Sequence, residues 1–515
     1  MTISGTTRSI WMSGDTGPAD YPALAEHLRC DVCIVGGGVA GLTTAYLLAR
    51  EGRSVAVVDM DRIGGQETAR TTAHLSDVLD EGLAALEGMH GLERASLAVA
   101  SHRAAITRIE EIVASEGIEC DFTRLDGYLL RSPETEAGEL ERELEAAQRL
   151  GFPDARLLSR TRGRGFRTGA CIRFPRQGQL HSLRYMRGLA DAIARHGGRL
   201  FGHTRASDIE ARDGGSVRIH AGGEWRIDAA AAVCATNTPF TTRVALHTKQ
   251  AAYRSYVIGA RVPRDTVHRA LYWDTADPYH YVRLQPDPEN ADGEIVIVGG
   301  EDHKTGQDDD PRPRFDRLEM WARKRVAALG EVLFRWSGQI MEPVDGLAFL
   351  GRSPGETDIY VITGDSGHGM THATIGAMIV SDLIAGRQNA WADLYDPGRV
   401  TLEATPTFLR ENLNVAAQYS DWVALGDIAD AADIEPGTGA VLRRGLARVV
   451  VYRKPDGTLL ERSAVCPHLG CIVAWNPVEA TWECPCHGSR FTPEGSLVHG
   501  PAIADLATVD GAAPE

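Results

Sequence analysis

Near the C-terminal end, the stretches CPHLGC (Cys466 to Cys471) and CPCHGS (Cys484 to Ser489) each offer a thiol and an imidazole at close spacing, as Cys466-x-His468 and Cys484-x-x-His487. Two cysteines and two histidines suit either a tetrahedral zinc ion or a [2Fe–2S] cluster whose cysteines hold one iron and whose histidines hold the other. Zinc ligand pairs are usually separated by two or more residues, and the single residue between Cys466 and His468 favours the cluster. Cys471 and Cys486 are left over, one in each stretch.

A second stretch able to do chemistry runs from Val32 to Asp59 and reads as strand, glycine loop, helix and strand. Gly36 permits the tight turn, Gly38 lets the backbone approach a pyrophosphate, and Gly41 lets the helix pack on the strand. The helix N-terminus faces the phosphates with its N–H groups, and Asp59 is placed to accept from ribose hydroxyls. This unit fits NAD and FAD alike. After it, Gly65 to His74 is rich in glycine, threonine and arginine, and Thr71 and Thr72 are placed to line the pyrophosphate and a ring system. An apolar strand ending in Ala235-Thr236-Asn237 is what returns the chain beside the first glycine loop. Farther on, Gly364, Gly367 and Gly369, with His368, Met370 and Thr371, again join a strand to a helix N-terminus. A buried flavin needs such a late return, because its ring as well as its phosphates must be held.

Around these sites the chain falls into order. Its 515 residues predict about three domains. A formal charge of −16 argues against nucleic acid or an anionic membrane as the main partner. No apolar run reaches the roughly 18 residues of a membrane span, and the polar start lacks the regions of a signal peptide, so the expected compartment is the cytoplasm. Residues 1–30 form a polar lead-in in which Ser9 to Trp11 and Tyr21 to Leu24 either pack on the first domain or trail loosely. Cys30 and Cys33 are ordinary strand cysteines that alternation points in opposite directions. Gly82 to Leu150 reads as helical and charged, Pro313 to Leu329 as a charged helix, and the last hundred residues as short strands between turns.

The C-terminal region, with its Leu-Gly and Gly-Ser flanks, resembles the Rieske proteins of respiratory and photosynthetic membranes. That resemblance implies a disulfide between Cys471 and Cys486, matches Ser489 to a serine that bonds a cluster sulfide, and places a tyrosine where this chain has Phe491. A lost donor lowers the potential, because hydrogen bonds to the sulfurs stabilise the reduced cluster. Residues 31–395 resemble the glycine oxidase and D-amino-acid oxidase family, and nearly the whole chain resembles bacterial FAD oxidoreductases with a fused Rieske module. The fold class implied is α/β: a discontinuous Rossmann-like FAD-binding domain (about 31–80, 160–240 and 340–390), an α+β substrate domain (about 81–160 and 241–340), a linker at 396–420, and a small all-β Rieske domain at 421–515. FAD would lie across Gly36, Gly38, Gly41, Asp59, the Gly65 to His74 loop, Ala235 and the Gly364 to Thr371 loop. The cluster would be held by Cys466, His468, Cys484 and His487. At the substrate, His303 matches a histidine of the sarcosine oxidase branch, while a lysine of that branch is replaced by Thr371. Lys304, Arg254, Arg283 and Arg70 are the candidate replacements, and His303, Lys304 and Arg70 form the expected catalytic set.

The resemblance implies oxidation of the C–N bond of an amine or amino acid by hydride transfer to FAD. Electrons then pass singly to the cluster and on to an external acceptor such as a ferredoxin or quinone. Two other readings remain: electrons enter at the cluster and FAD reduces a substrate, or the chain is a redox sensor or carrier without turnover. A single complete GxGxxG argues against a nicotinamide dehydrogenase, and nothing in the sequence specifies an oligomeric state.

Overall fold

Leu28–Val35 forms a strand because its run of apolar, partly β-branched residues has neighbours on both sides, with Val55–Val58 and Trp225–Asn237 pairing to it in parallel. In this computed structural model the described residues are all except 1–4, 14–16, 162–164, 213, 242–245, 309, 327, 423–427, 429 and 510–515, so parts of the expected lead-in, the junction near 421 and the C-terminal end lie outside them. The sheet runs in the order Phe349–Arg352, Ile359–Thr363, Trp225–Asn237, Leu28–Val35, Val55–Val58, Arg199–Phe201. Neighbours along this path are parallel except the edge strand Phe349–Arg352, and off the path Ser216–Ala221 pairs antiparallel with Trp225–Asn237 and with Ala206–Arg212. Both glycine loops and the Ala235–Asn237 turn therefore leave the same end of three adjacent strands. That end is where open parallel sheets bind ligands.

Seven helices are used below: α1 (Val39–Arg50), α2 (Leu83–Glu116), α3 (Glu139–Arg149), α4 (Ser182–Arg195), α5 (Arg312–Arg325), α6 (Gly369–Ile384) and α7 (Thr405–Ala417). Helices α1, α2, α4 and α6 bury their apolar residues in one core with Val32, Ile34, Val57 and Ile362 of the sheet. Each such side chain contributes roughly 1.5–3 kcal/mol when fully buried. None of the described helices is long and apolar enough to cross a membrane.

A second, mostly antiparallel sheet runs Val332–Pro343, Gln250–Pro263, Gly293–Lys304, His280–Pro286, Leu271–Asp274, Thr123–Leu130, Cys171–Gln179, His74–Leu75. Two of its strands differ from the sequence reading. Thr123–Leu130 lies inside the stretch read as helical, where the charged helices α2 and α3 on either side mask it. Cys171–Gln179, expected with the nucleotide-binding part, pairs instead with Thr123–Leu130.

Within the lead-in, Ile10, Trp11 and Met12 do not trail loosely but are buried against Ala69, Leu183, Val257 and Trp336. Cys30 and Cys33 correct the alternation argument, since both pack into the same apolar cluster. The N–H groups of Asp31 and Val32 both bond Ser54 O, so regular alternation is broken between the two cysteines. The expected linker contains α7, which is anchored by the Lys304–Glu411 ion pair and by Asn412 on Thr248 O at 2.9 Å.

The C-terminal module has a three-stranded sheet (Gly439–Arg444, Ala447–Arg453, Leu459–Ser463) and a four-stranded sheet (Ala474–Asn476, Thr481–Glu483, Arg490–Phe491, Leu497–His499). It is joined to the rest by buried charge. Arg70 meets Glu479 at 3.0 Å with both side chains fully buried, Arg254 pairs with Glu483, and Arg490 meets Glu67 at 2.9 Å. Thr7 of the lead-in joins this network by donating to Glu479 at 2.5 Å.

Candidate functional site

A cavity of about 290 Å³ opens at the loop end of the parallel sheet. Gly36, Gly38, Asp59, Gly65, Thr71, Thr72, Ala235, Gly364, Gly367, His368, Gly369 and Met370 line it, with Arg70 beside them. Gly41 and Thr371 stand behind this lining. A Cβ at Gly36 would lie 2.3 Å from Ala235 O, and one at Gly41 would lie 1.8 Å from Gly36 O, so glycine is required at both for loop and helix to close up. Neither α1 nor α6 is capped by the side chain of its N-cap residue, Gly38 or His368. Two helix N-termini thus face one cavity, an arrangement suited to an anion. Asp59 accepts from Gly37 N at 2.6 Å and Asp61 N at 2.8 Å, and burial pushes its carboxyl up to about 6. Arg283 bonds Thr72 O at 2.7 Å, Ala73 O at 3.0 Å and Leu180 O at 3.0 Å, and so braces the loop that carries Thr71 and Thr72. The glycine cradles and the paired helix ends fit a flavin dinucleotide.

In the C-terminal module two loops repeat one geometry. Cys466 N bonds Cys471 O at 2.8 Å, and Cys484 N bonds Ser489 O at 2.8 Å; in each loop a glycine at positive φ, Gly470 or Gly488, bonds back to the leading cysteine. The loops bring the Cys466 and Cys484 thiols into hydrogen-bond contact and set the His468 and His487 rings 4.9 Å apart. The buried Nδ1 of His487 has no hydrogen-bond partner among the described residues, which suits a nitrogen that ligates a metal. Cys471 and Cys486 form a disulfide that ties the loops together. The same two loops thus present a pair of thiols and a pair of imidazoles, a donor set that fits a [2Fe–2S] cluster.

The model of the FAD-dependent oxidoreductase (DAO) family matches residues 31–383, and that of the Rieske [2Fe–2S] domain matches residues 422–510. The chain belongs to the DAO family of FAD-dependent oxidoreductases. It also carries a C-terminal Rieske domain. The Rieske 2Fe–2S iron-sulfur protein YhfW of Bacillus subtilis is 30% identical over 505 residues, covering 98% of this chain and 97% of YhfW. A gamma-glutamylputrescine oxidoreductase of Escherichia coli is 26% identical over 407 residues, covering 75% of this chain and 92% of that protein. Among solved structures, glycine oxidase from Geobacillus kaustophilus shares the fold with a TM-score of 0.62 at 21% identity, covering 72% of this chain and all of that one. This DAO-family oxidoreductase thus uses FAD and a [2Fe–2S] cluster.

The expected catalytic set is not gathered at the cavity. His303 stacks on Tyr256 and bonds its hydroxyl at 2.9 Å, and Lys304 pairs with Glu411 of α7; neither lines the cavity. Their stretch docks the cluster loop instead, with Gln307 Nε2 donating to Pro485 O at 3.2 Å. Arg70 does line the cavity, but its guanidinium is directed to Glu479, Ser337 O and Thr7. Arg254 is held by Glu483 and Ser337. The basic residues proposed to replace the missing lysine are thus engaged elsewhere.

The structure brings another group forward. His368 Nε2 lies 3.1 Å from Asp80 Oδ1, and Tyr279 and Tyr281 line the cavity beside them. Burial lowers His368, but Asp80, Glu81 and Asp365 outweigh it and hold the imidazole above its ordinary value. Behind it, His372 meets His102 at 3.2 Å, His102 meets Thr371 Oγ1 at 2.9 Å, and burial pulls His372 down to about 3. Burial, then the neighbouring Asp80, raises Glu81 to about 7; burial likewise raises Asp302, beside Ser255 and Tyr279, to about 7. Glu342 is raised well above its ordinary value by burial and by these carboxylates. The spacing of His368 and His372 was visible as one helical turn. Asp80, His102, Tyr279 and Asp302 are too far apart in sequence for any spacing rule to join them.

Proposed function

We propose that this oxidoreductase oxidises the C–N bond of a cationic amine, with the electrons leaving through its own Rieske domain to an external one-electron acceptor. The observation that carries the amine class is the charge of the cavity around His368. Asp80 and Asp365 line it, and Glu81 and Asp302 lie behind and add charge as pH rises through about 7, while the two lining arginines, Arg70 and Arg205, turn to the C-terminal module. A substrate carboxylate would meet repulsion there; an ammonium would meet a counter-charge. One relative is a gamma-glutamylputrescine oxidoreductase, which supports an amine-bearing substrate.

When bound, FAD supplies a hydride acceptor and the cluster a one-electron acceptor. The chain's part is to bind and orient. Asp80, paired with His368 at 3.1 Å, receives the ammonium, and Tyr279 and Tyr281 wall the substrate in. Glycines 364, 367 and 369 let the backbone approach the ring, and Cys466, His468, Cys484 and His487 hold the cluster. Gln339 supports transfer within one chain: it lines the cavity and its Nε2 donates to Gly488 O of the cluster loop at 3.0 Å.

Anaerobic mixing of the cluster-loaded protein with monoamines, diamines, polyamines and amino acids tests this reading, following flavin absorbance and the electron-spin signal of the reduced cluster. The expected result is flavin bleaching by a diamine or polyamine, followed by the cluster signal. Bleaching by simple amino acids alone would overturn the amine class. Rapid peroxide formation under air, with a cluster that stays oxidised through turnover, would overturn the route through the Rieske domain.

A further inference from the structure

One wall of the flavin cavity comes from the Rieske domain. Leu497, Val498, His499, Gly500, Ala502 and Ile503 line it together with the glycine loops. The segment is fastened along its length to the FAD-binding part. Gln66 Nε2 donates to Val498 O at 3.3 Å, Gln339 Nε2 meets His499 Nδ1 at 3.3 Å, and Arg205 bonds both Ile503 O and Asp505, the latter at 3.2 Å. Met60, next to Asp59, packs on the Rieske core. The segment is fastened on its other side too: Ala502 N bonds Ser489 Oγ of the cluster loop at 3.0 Å, and Leu497 N bonds Asp505 Oδ1 at 2.9 Å.

We propose that the Rieske domain is a structural part of the FAD-binding site: Leu497 to Ile503 closes the cavity over the dinucleotide, and FAD enters or leaves only when this wall lifts. The wall is anchored in the Rieske sheet, where Leu497–His499 pairs with Arg490–Phe491, and it is fastened to the FAD-binding part by hydrogen bonds and one exposed ion pair, the contacts that break when it lifts. Asp505 is the fastening to test. It braces Leu497 and meets Arg205, yet it does not itself line the cavity.

The experiment measures FAD release from full-length, cluster-loaded protein by the rise in free-flavin fluorescence after dilution. Asp505→Ala is expected to release FAD about tenfold faster or more, as the loss of one charge-assisted hydrogen bond from the closed wall would require. Asp505→Asn, which keeps an acceptor for Leu497 N, is expected to fall between Asp505→Ala and the wild type. Unchanged release in Asp505→Ala, with the cluster spectrum intact, overturns the proposal. Hydrogen exchange on the wild-type chain gives a readout free of any variant: residues 497–503 should be protected when FAD is added back to flavin-stripped protein, and equal exchange with and without FAD overturns the proposal as well.

Discussion

Phe491 is fully buried in the Rieske core with Cys466 and Cys484, where the resemblance places a tyrosine. Restoring the hydroxyl in Phe491→Tyr should raise the cluster midpoint potential, measured by a redox titration of the electron-spin signal. A net hydrogen bond of about 1–1.5 kcal/mol corresponds to roughly 40–60 mV for one electron. At the cavity, Asp80→Asn should raise KM for a cationic amine by about tenfold or more, leaving cluster and flavin spectra unchanged. Glu81 and Asp302 also set a pH dependence. Both carboxyls are raised to about 7, so the site gains negative charge as pH rises through 7, and amine KM should fall between pH 6 and pH 8. His368 and Arg314 are the cations facing these carboxylates. In the amine-free protein the same groups favour folding at low pH, and that contribution is lost between the unfolded carboxylate value of about 4 and the folded value of about 7.

At the scale of elements, the junction between the two modules rests on buried ion pairs. Replacing Arg70 with alanine leaves Glu479 charged and without its ion-pair partner, which should destabilise the protein by about 3–5 kcal/mol in denaturant unfolding. Burial raises the Glu479 carboxyl, but Arg70, Arg254 and Arg490 outweigh it and hold the group down to about 2. Its folded value lies below the ordinary 4.5, so it contributes stability above pH 4.5 that is lost as pH falls through 2. Element types were legible wherever a strong period marked them: the strand, loop and helix at Val32 to Asp59, the helix at Ser182–Arg195, and the short strands of the Rieske domain. Thr123–Leu130 was not, because a strand flanked by long charged helices carries no separate signal in composition. His303 and Lys304 stand in a stretch dense in polar groups, and density alone cannot tell a substrate contact from a docking contact. In the folded chain that stretch meets the cluster loop and α7.

For the whole molecule, the shared cavity wall and the buried charge join the flavoprotein part and the Rieske domain into one cooperative body. Scanning calorimetry of the fully loaded protein should therefore show one main unfolding transition in which flavin fluorescence and cluster absorbance change together. Two separated transitions would mean that the junction contributes little to stability.

The sequence carried both cofactors, through the family resemblance and through local patterns: glycine loops and a Cys/His quartet each need only a few residues at short spacing, and a turn or a helix start fixes their geometry. It also determined the order of the parts and the Cys471–Cys486 pairing implied by the Rieske resemblance. What lies between those sites emerges with folding. That Arg70 faces Glu479, that Asp80 meets His368, that Gln339 reaches Gly488, and that Leu497 to Ile503 walls the flavin cavity are contacts between residues more than a hundred positions apart. They follow from how two sheets and a separate module pack, and packing is set by the summed shape and charge of many side chains rather than by any spacing along the chain.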